Sequence, residues 1–152
     1  ALARISEFET ILFDESQDML NLAQGYISQS GLESRAKTLL GDVHAMSLAD
    51  QSVNLVVSRG SMFFWENRVE AFRVLAIGGA AMIGGGFGNA ELLREIEIKM
   101  LKKDPEWKEK RQQRIGQSKV EEYRQELEQA GISSFEITRD EAGLWITISK
   151  TA

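Results

Sequence analysis

The 152-residue chain contains no cysteine. Disulfides, thiolate metal sites and cysteine nucleophiles are therefore excluded. It has a single histidine, His44, which rules out a histidine-rich metal centre, and no metal is expected. Its one proline falls at Pro105. No apolar run reaches the roughly 18 residues that suggest a membrane span, and no charged-then-apolar leader opens the chain. A soluble, cytoplasmic protein without a membrane partner is the expectation. Positive charge is in deficit: 18 Lys and Arg face 23 Asp and Glu, a net charge of −5. A generic nucleic-acid binder needs a basic face, so general nucleic-acid binding is not expected.

The composition that remains is ordinary for a globular protein, with 43% hydrophobic and 27% charged residues. The length suits one domain over residues 1–152 with a substantial core. Glu9 to Phe13 reads as a short buried strand that ends at Asp14-Glu15-Ser16. Ser16 is a plausible N-cap, with Asp18 in the first turn, where the helix dipole favours it. Met19, Leu20, Ala23, Tyr26 and Ile27 follow at helical spacing, and Gly31 marks the stop. Ala36 to Leu40 reads as the next strand, ending at Gly41-Asp42, and Val53 to Val57 as a third, ending in Ser58-Arg59-Gly60. Glu66 to Leu75 reads as a short helix, and Ala80 to Ile83 as a strand that runs into three glycines.

Residues 89–116 form a long, charged helical insertion, broken near Asp104-Pro105. Ser118 with Glu121 suggests a capping box at the start of the next helix. Val120, Tyr123, Leu127 and Ala130 form its apolar stripe, and Gly131 its stop. Ser134 to Arg139 and Leu144 to Ser149 alternate around a turn, a hairpin signal. The pattern is α/β, a mostly parallel sheet closed by one reversed strand. In such sheets ligands bind at the carboxyl ends of strands, and Asp14, Asp42 and Ser58 all stand at such ends.

Three segments in order, ETILFDESQDMLNLAQ, GDVHAMSLADQSVNLVVS and RVLAIGGAAMIGG, resemble the class I S-adenosylmethionine-dependent methyltransferases of the small-molecule type. The closing GISSFEITRDEAGLWITISK looks like that family's last two strands. The resemblance implies a Rossmann-like methyltransferase sheet, with S-adenosylmethionine as methyl donor and S-adenosylhomocysteine as product. The acceptor would be a small molecule. Asp14 would take both ribose hydroxyls, since a carboxylate can accept from a vicinal diol; an aspartate at a helix entry would look the same in the sequence. Asp42 would accept from the adenine amino group, with the Val43 backbone beside it. Glu15 stands next to Asp14, where the family usually has an apolar residue. Ser58 would lie near the methionine portion, or simply end its strand. His44 reads as an exposed loop residue. Phe63, Phe64 and Trp65 could be core or the wall of a substrate pocket. The triple glycine Gly84-Gly85-Gly86 lacks the following Lys-Ser/Thr of a phosphate loop. No catalytic base is assigned.

The chain departs from the family pattern in two places. The glycine-rich loop after the family's first strand is missing, and ALARISEF resembles the last turn of the helix that should follow it. A strand should then be lacking between Glu9–Phe13 and Val53–Val57. The helix before Gly78 also looks one turn short, which suggests a break or tightened turn near Phe72-Arg73. The alternative reading is a non-catalytic, methyltransferase-like binding module, favoured if Glu9–Phe13 pairs directly with Val53–Val57. A dehydrogenase-like nucleotide-binding protein is weaker, because the terminal hairpin speaks against it.

Overall fold

A computed structural model describes residues 2–66 and 68–151. The chain forms two compact units, residues 1–47 and 48–152.

In the first unit a short helix α1 (Leu2–Ile5) leads to strand β1 (Thr10–Asp14), helix α2 (Gln17–Gln29) and strand β2 (Ala36–Leu40). β1 and β2 are parallel, with Thr10 opposite Ala36 and Asp14 opposite Leu40. Ser16 caps α2 as its sequence suggests, its hydroxyl accepting from the Met19 N–H at 3.3 Å. Gly31 takes the positive φ, 64°, that follows many helix ends. A small core of Ala3, Ile27 and Ala36, with Leu12 and Leu32 against it, joins these elements. α2 buries Leu20 and Ile27, whereas Met19 and Tyr26 are 53% and 69% exposed. Periodicity thus placed the five apolar residues correctly on a helix but not all of them on its buried face.

The second unit is a four-stranded sheet in the order β3-β4-β6-β5. Its strands are β3 (Val53–Arg59), β4 (Leu75–Gly86), β5 (Phe135–Arg139) and β6 (Gly143–Ser149). β3 and β4 are parallel, and β6 is antiparallel to both β4 and β5, so one strand is reversed as expected. Helices α3 (Val69–Val74), α4 (Ala90–Leu101), α5 (Trp107–Ile115) and α6 (Gln117–Gln129) complete it. Leu75, Ile83, Leu127, Leu144, Ile146 and Ile148 are fully enclosed. Each such side chain contributes about 1.5–3 kcal/mol by leaving water.

Several expectations change. β4 begins at Leu75 and runs through Gly86, so the three glycines belong to the strand. A Cβ on Gly85 would sit 2.9 Å from the Phe63 ring and 3.1 Å from the Gly60 nitrogen, so the close approach of the preceding loop requires glycine. Phe72 and Arg73 lie inside α3, with no break there; the tight junction comes two residues later, where helix passes directly into strand at Leu75. Lys150 seals that junction, donating from Nζ to the carbonyls of Phe72 and Leu75 at 2.8 and 2.7 Å. Ser118 does not cap α6. The helix starts from Gly116, with no side-chain cap. Ala130 is exposed, while Val120, Tyr123 and Leu127 are buried as the spacing predicts.

β1 pairs only with β2 and β3 only with β4, and no described strand joins the two sheets. Direct β1–β3 pairing, the rearrangement that would have favoured a non-catalytic module, does not occur.

Candidate functional site

The first unit brings four of the sequence-predicted residues to one sheet end. Asp14 is the last residue of β1, and Asp42 follows the end of β2 by two positions. Because the strands are parallel, both carboxylates lie at the same, carboxyl-side end of the sheet, on neighbouring strands, which run about 4.8 Å apart. Gly41 makes the turn between them possible. Its N–H donates to the Asp14 carbonyl at 3.0 Å, and a Cβ there would meet the Phe13 ring at 2.7 Å.

Asp14 is half-buried. Its Oδ1 accepts the Ser16 N–H at 2.9 Å, which orients the carboxylate at the entry of α2. Its other oxygen has no partner among the described residues. Glu15 beside it is exposed. Asp42 is exposed, and its Oδ1 accepts the His44 N–H at 2.8 Å and lies 2.7 Å from His44 Nδ1. The main-chain hydrogen bond from His44, then the imidazole, holds the Asp42 carboxyl below the usual carboxylate range. His44 is thus half-buried and bonded to a site residue, not merely a surface residue of the loop. Val43 is half-buried, and its main-chain N–H makes no hydrogen bond among the described residues.

This donor set fits the adenosine half of S-adenosylmethionine. A fixed carboxylate with a free oxygen suits two hydroxyls. A carboxylate next to an unpaired N–H suits the amino group and ring nitrogen of an adenine edge. The His44 contacts favour the ionised form of Asp42.

Ser58 belongs to the second unit, near the end of β3. Its hydroxyl is 2.7 Å from that of Ser61, and Gly60 follows at φ 93°. The loop after β3 continues into a 3-10 turn, Met62–Phe64. Met62 is fully buried and Phe63 and Trp65 pack against the core, while Phe64 is 67% exposed under the Arg114 guanidinium.

Sequence reasoning passed over the anchor of this loop. Arg68 is 5% exposed. It donates to the carbonyls of Met62 at 3.0 Å and Trp65 at 3.2 Å, spanning the 3-10 turn. Its guanidinium pairs with Glu126 on α6 and lies 4.5 Å from the centre of the Tyr123 ring. The other Glu126 oxygen accepts the Arg68 N–H at 2.6 Å. Glu126, placed between the buried Tyr123 and Leu127 on α6, was the only sequence signal for it.

Parallel strands whose carboxyl ends carry acidic residues, as β1 and β2 do, present those groups where open α/β sheets bind ligands. Residues 1–79 match the family model described as a methyltransferase domain. A protein of Methanococcus maripaludis, described as a candidate S-adenosyl-L-methionine-dependent methyltransferase, is 42% identical to this chain with a TM-score of 0.88. The similarity covers all of this chain and 71% of that one. A SAM-dependent methyltransferase of Aquifex aeolicus shares the fold at 14% identity and a TM-score of 0.56, over 91% of this chain and 66% of its own. A candidate methyltransferase of Bacillus halodurans does so at 15% and 0.60, over 93% and 83%. No curated protein sequence matches the chain. The chain belongs to the class I S-adenosylmethionine-dependent methyltransferases.

Among the described residues no helix is long and apolar enough to cross a membrane.

Proposed function

We propose that this chain binds S-adenosylmethionine through Asp14 at the ribose and Asp42 with Val43 at the adenine, and that it serves methyl transfer to a small molecule. The observation that carries the reading is the pair of carboxylates at adjacent ends of parallel strands, on a chain 42% identical to a named methyltransferase candidate. When bound, S-adenosylmethionine supplies an electrophilic methyl group on a sulfonium. The residues here do the binding and orienting. Ser16 fixes the Asp14 carboxylate, His44 fixes that of Asp42, and Glu15 borders them. Ser58 is assigned to the methionine portion on the family resemblance alone. Positioning and exclusion of water can supply much of the rate in such a transfer, so no side chain is named as base.

Calorimetric titration with S-adenosylhomocysteine tests the assignment. Asp14→Ala should weaken binding by about 1.5–3 kcal/mol, the scale of hydrogen bonds to a charged group. Unchanged affinity would remove Asp14 from the site.

A further inference from the structure

Helices α4 and α5 enclose an open groove of about 540 Å³. α4 begins four residues after the carboxyl end of β4, with Asn89 as its cap. Phe87, between them, donates its N–H to the Ala142 carbonyl in the turn before β6. The groove therefore opens at the strand end where α/β sheets bind ligands. Its walls are Ala90, Leu93 and Trp107, all half-buried, and the Trp107 ring packs at 5.8 Å on Phe87.

The charges in the groove are unequal in what they lack. Lys108 and Glu97 neutralise each other in an ion pair. Arg94 pairs with no carboxylate among the described residues. Among the described residues Arg111 finds the Glu141 carbonyl and the Phe87 ring, 5.9 Å from its guanidinium carbon, and no paired carboxylate. Burial, and then the neighbouring Arg139, pull the Arg111 pKa below its usual value, against the opposing pull of Asp140. An anion placed between Arg94 and Arg111 would supply the missing countercharge. Two carboxylates of the lining, Glu109 and Glu141, are also without cationic partners among the described residues, so the opposite preference is the real competitor.

We infer that the α4–α5 groove binds a flat, apolar molecule that carries an anionic group, with Trp107 against its plane and Arg94 and Arg111 on its charge. Calling this occupant the methyl acceptor rests on the methyl-transfer reading above; the binding chemistry does not.

The probes are phenylacetate, phenylacetamide and phenethylamine, titrated into the full chain while the Trp107 indole N–H is followed by NMR, with Trp107→Phe identifying its signal. Phenylacetate should bind at least tenfold tighter than the neutral amide, and Arg94→Gln with Arg111→Gln should abolish that preference. Tighter binding of the amine, equal binding of all three, or no shift of Trp107 at millimolar phenylacetate would overturn the inference. S-adenosylhomocysteine titration of the same sample separates the two readings. Phenylacetate binding without S-adenosylhomocysteine binding sinks methyl transfer alone, and the reverse sinks the groove alone.

Discussion

Removing the Glu126 carboxylate should be among the most damaging single changes in the second unit. Glu126→Ala leaves Arg68 charged, 5% exposed, and held only by the carbonyls of Met62 and Trp65 and by the Tyr123 ring. It also strips the partner from the Arg68 N–H. Breaking one side of a buried pair costs about 3–5 kcal/mol. The Glu126 side chain is 22% exposed, so water can partly replace it and the low end, about 3 kcal/mol, is expected. At a urea m value of about 2 kcal/mol/M, the midpoint falls by roughly 1.5 M. Tryptophan fluorescence reads the loss directly, because Trp65, Trp107 and Trp145 all lie in the second unit. Lys119→Ala, which breaks the exposed pair with Glu122, is the control and should cost under about 1 kcal/mol. Replacing both partners, Arg68→Met with Glu126→Leu, should recover most of the loss, since apolar groups of similar size avoid the unpaired charge. A Glu126→Ala loss no greater than that of the control would refute the buried-pair argument.

Other outcomes follow from the same geometry. Asp42 should titrate below the ordinary carboxylate range by carboxyl-carbon NMR, and His44→Ala should restore only part of the shift, because the main-chain N–H, its largest cause, remains; a midpoint at or above the ordinary value would contradict this. The sign is that of a depressed acid: whatever stability it contributes is present above the unfolded value, about 3.9, and is lost as pH falls through the folded value. Gly85→Ala should destabilise the second unit by about 1–3 kcal/mol, the usual cost of overpacking, because Phe63 and Gly60 stand in the way of a Cβ; an unchanged urea midpoint would mean that the loop after β3 yields freely. Gly41→Ala should instead act within the first unit, through Phe13, and circular dichroism should show a lower melting temperature; an unchanged one would mean that the Phe13 ring yields freely.

The elements that were legible in the sequence are those governed by local chemistry. Ser16 caps α2 because its hydroxyl reaches the Met19 N–H three residues on. β2 spans Ala36–Leu40 as its pattern suggests, and the hairpin turn forms because Asp140 Oδ1 accepts the N–H groups of both Ala142 and Gly143 at 2.8 Å. Tertiary contacts decided the rest. Glycine is a poor strand former, yet Gly84 to Gly86 extend β4, because the backbone at the start of β6 passes where side chains on Gly84 and Gly86 would stand, and the loop after β3 where one on Gly85 would. Ser118 yields its cap to Gly116, since Tyr123 and Arg139 bind the carbonyls of Arg114 and Ile115 and so fix where α5 ends.

The candidate site divides along the same line. Asp14 and Asp42 were legible because each stands at the carboxyl end of a strand, and parallel pairing of those strands brings the two ends together whatever packs around them. The role of Arg68 was not, because an arginine after Trp65-Glu66 reads as surface until a carboxylate from a helix some 60 residues on is seen to meet it. Likewise Arg94, Trp107 and Arg111 look like members of a solvated helical face, and only the antiparallel sense of β6 brings the turn at Glu141 to the Arg111 guanidinium. Cofactor recognition at strand ends can thus be written in a few local residues, whereas the selection of an acceptor depends on helices that meet only in the folded chain. For that reason the methyl donor was readable from the order of the segments, and the acceptor becomes arguable only from the α4–α5 groove.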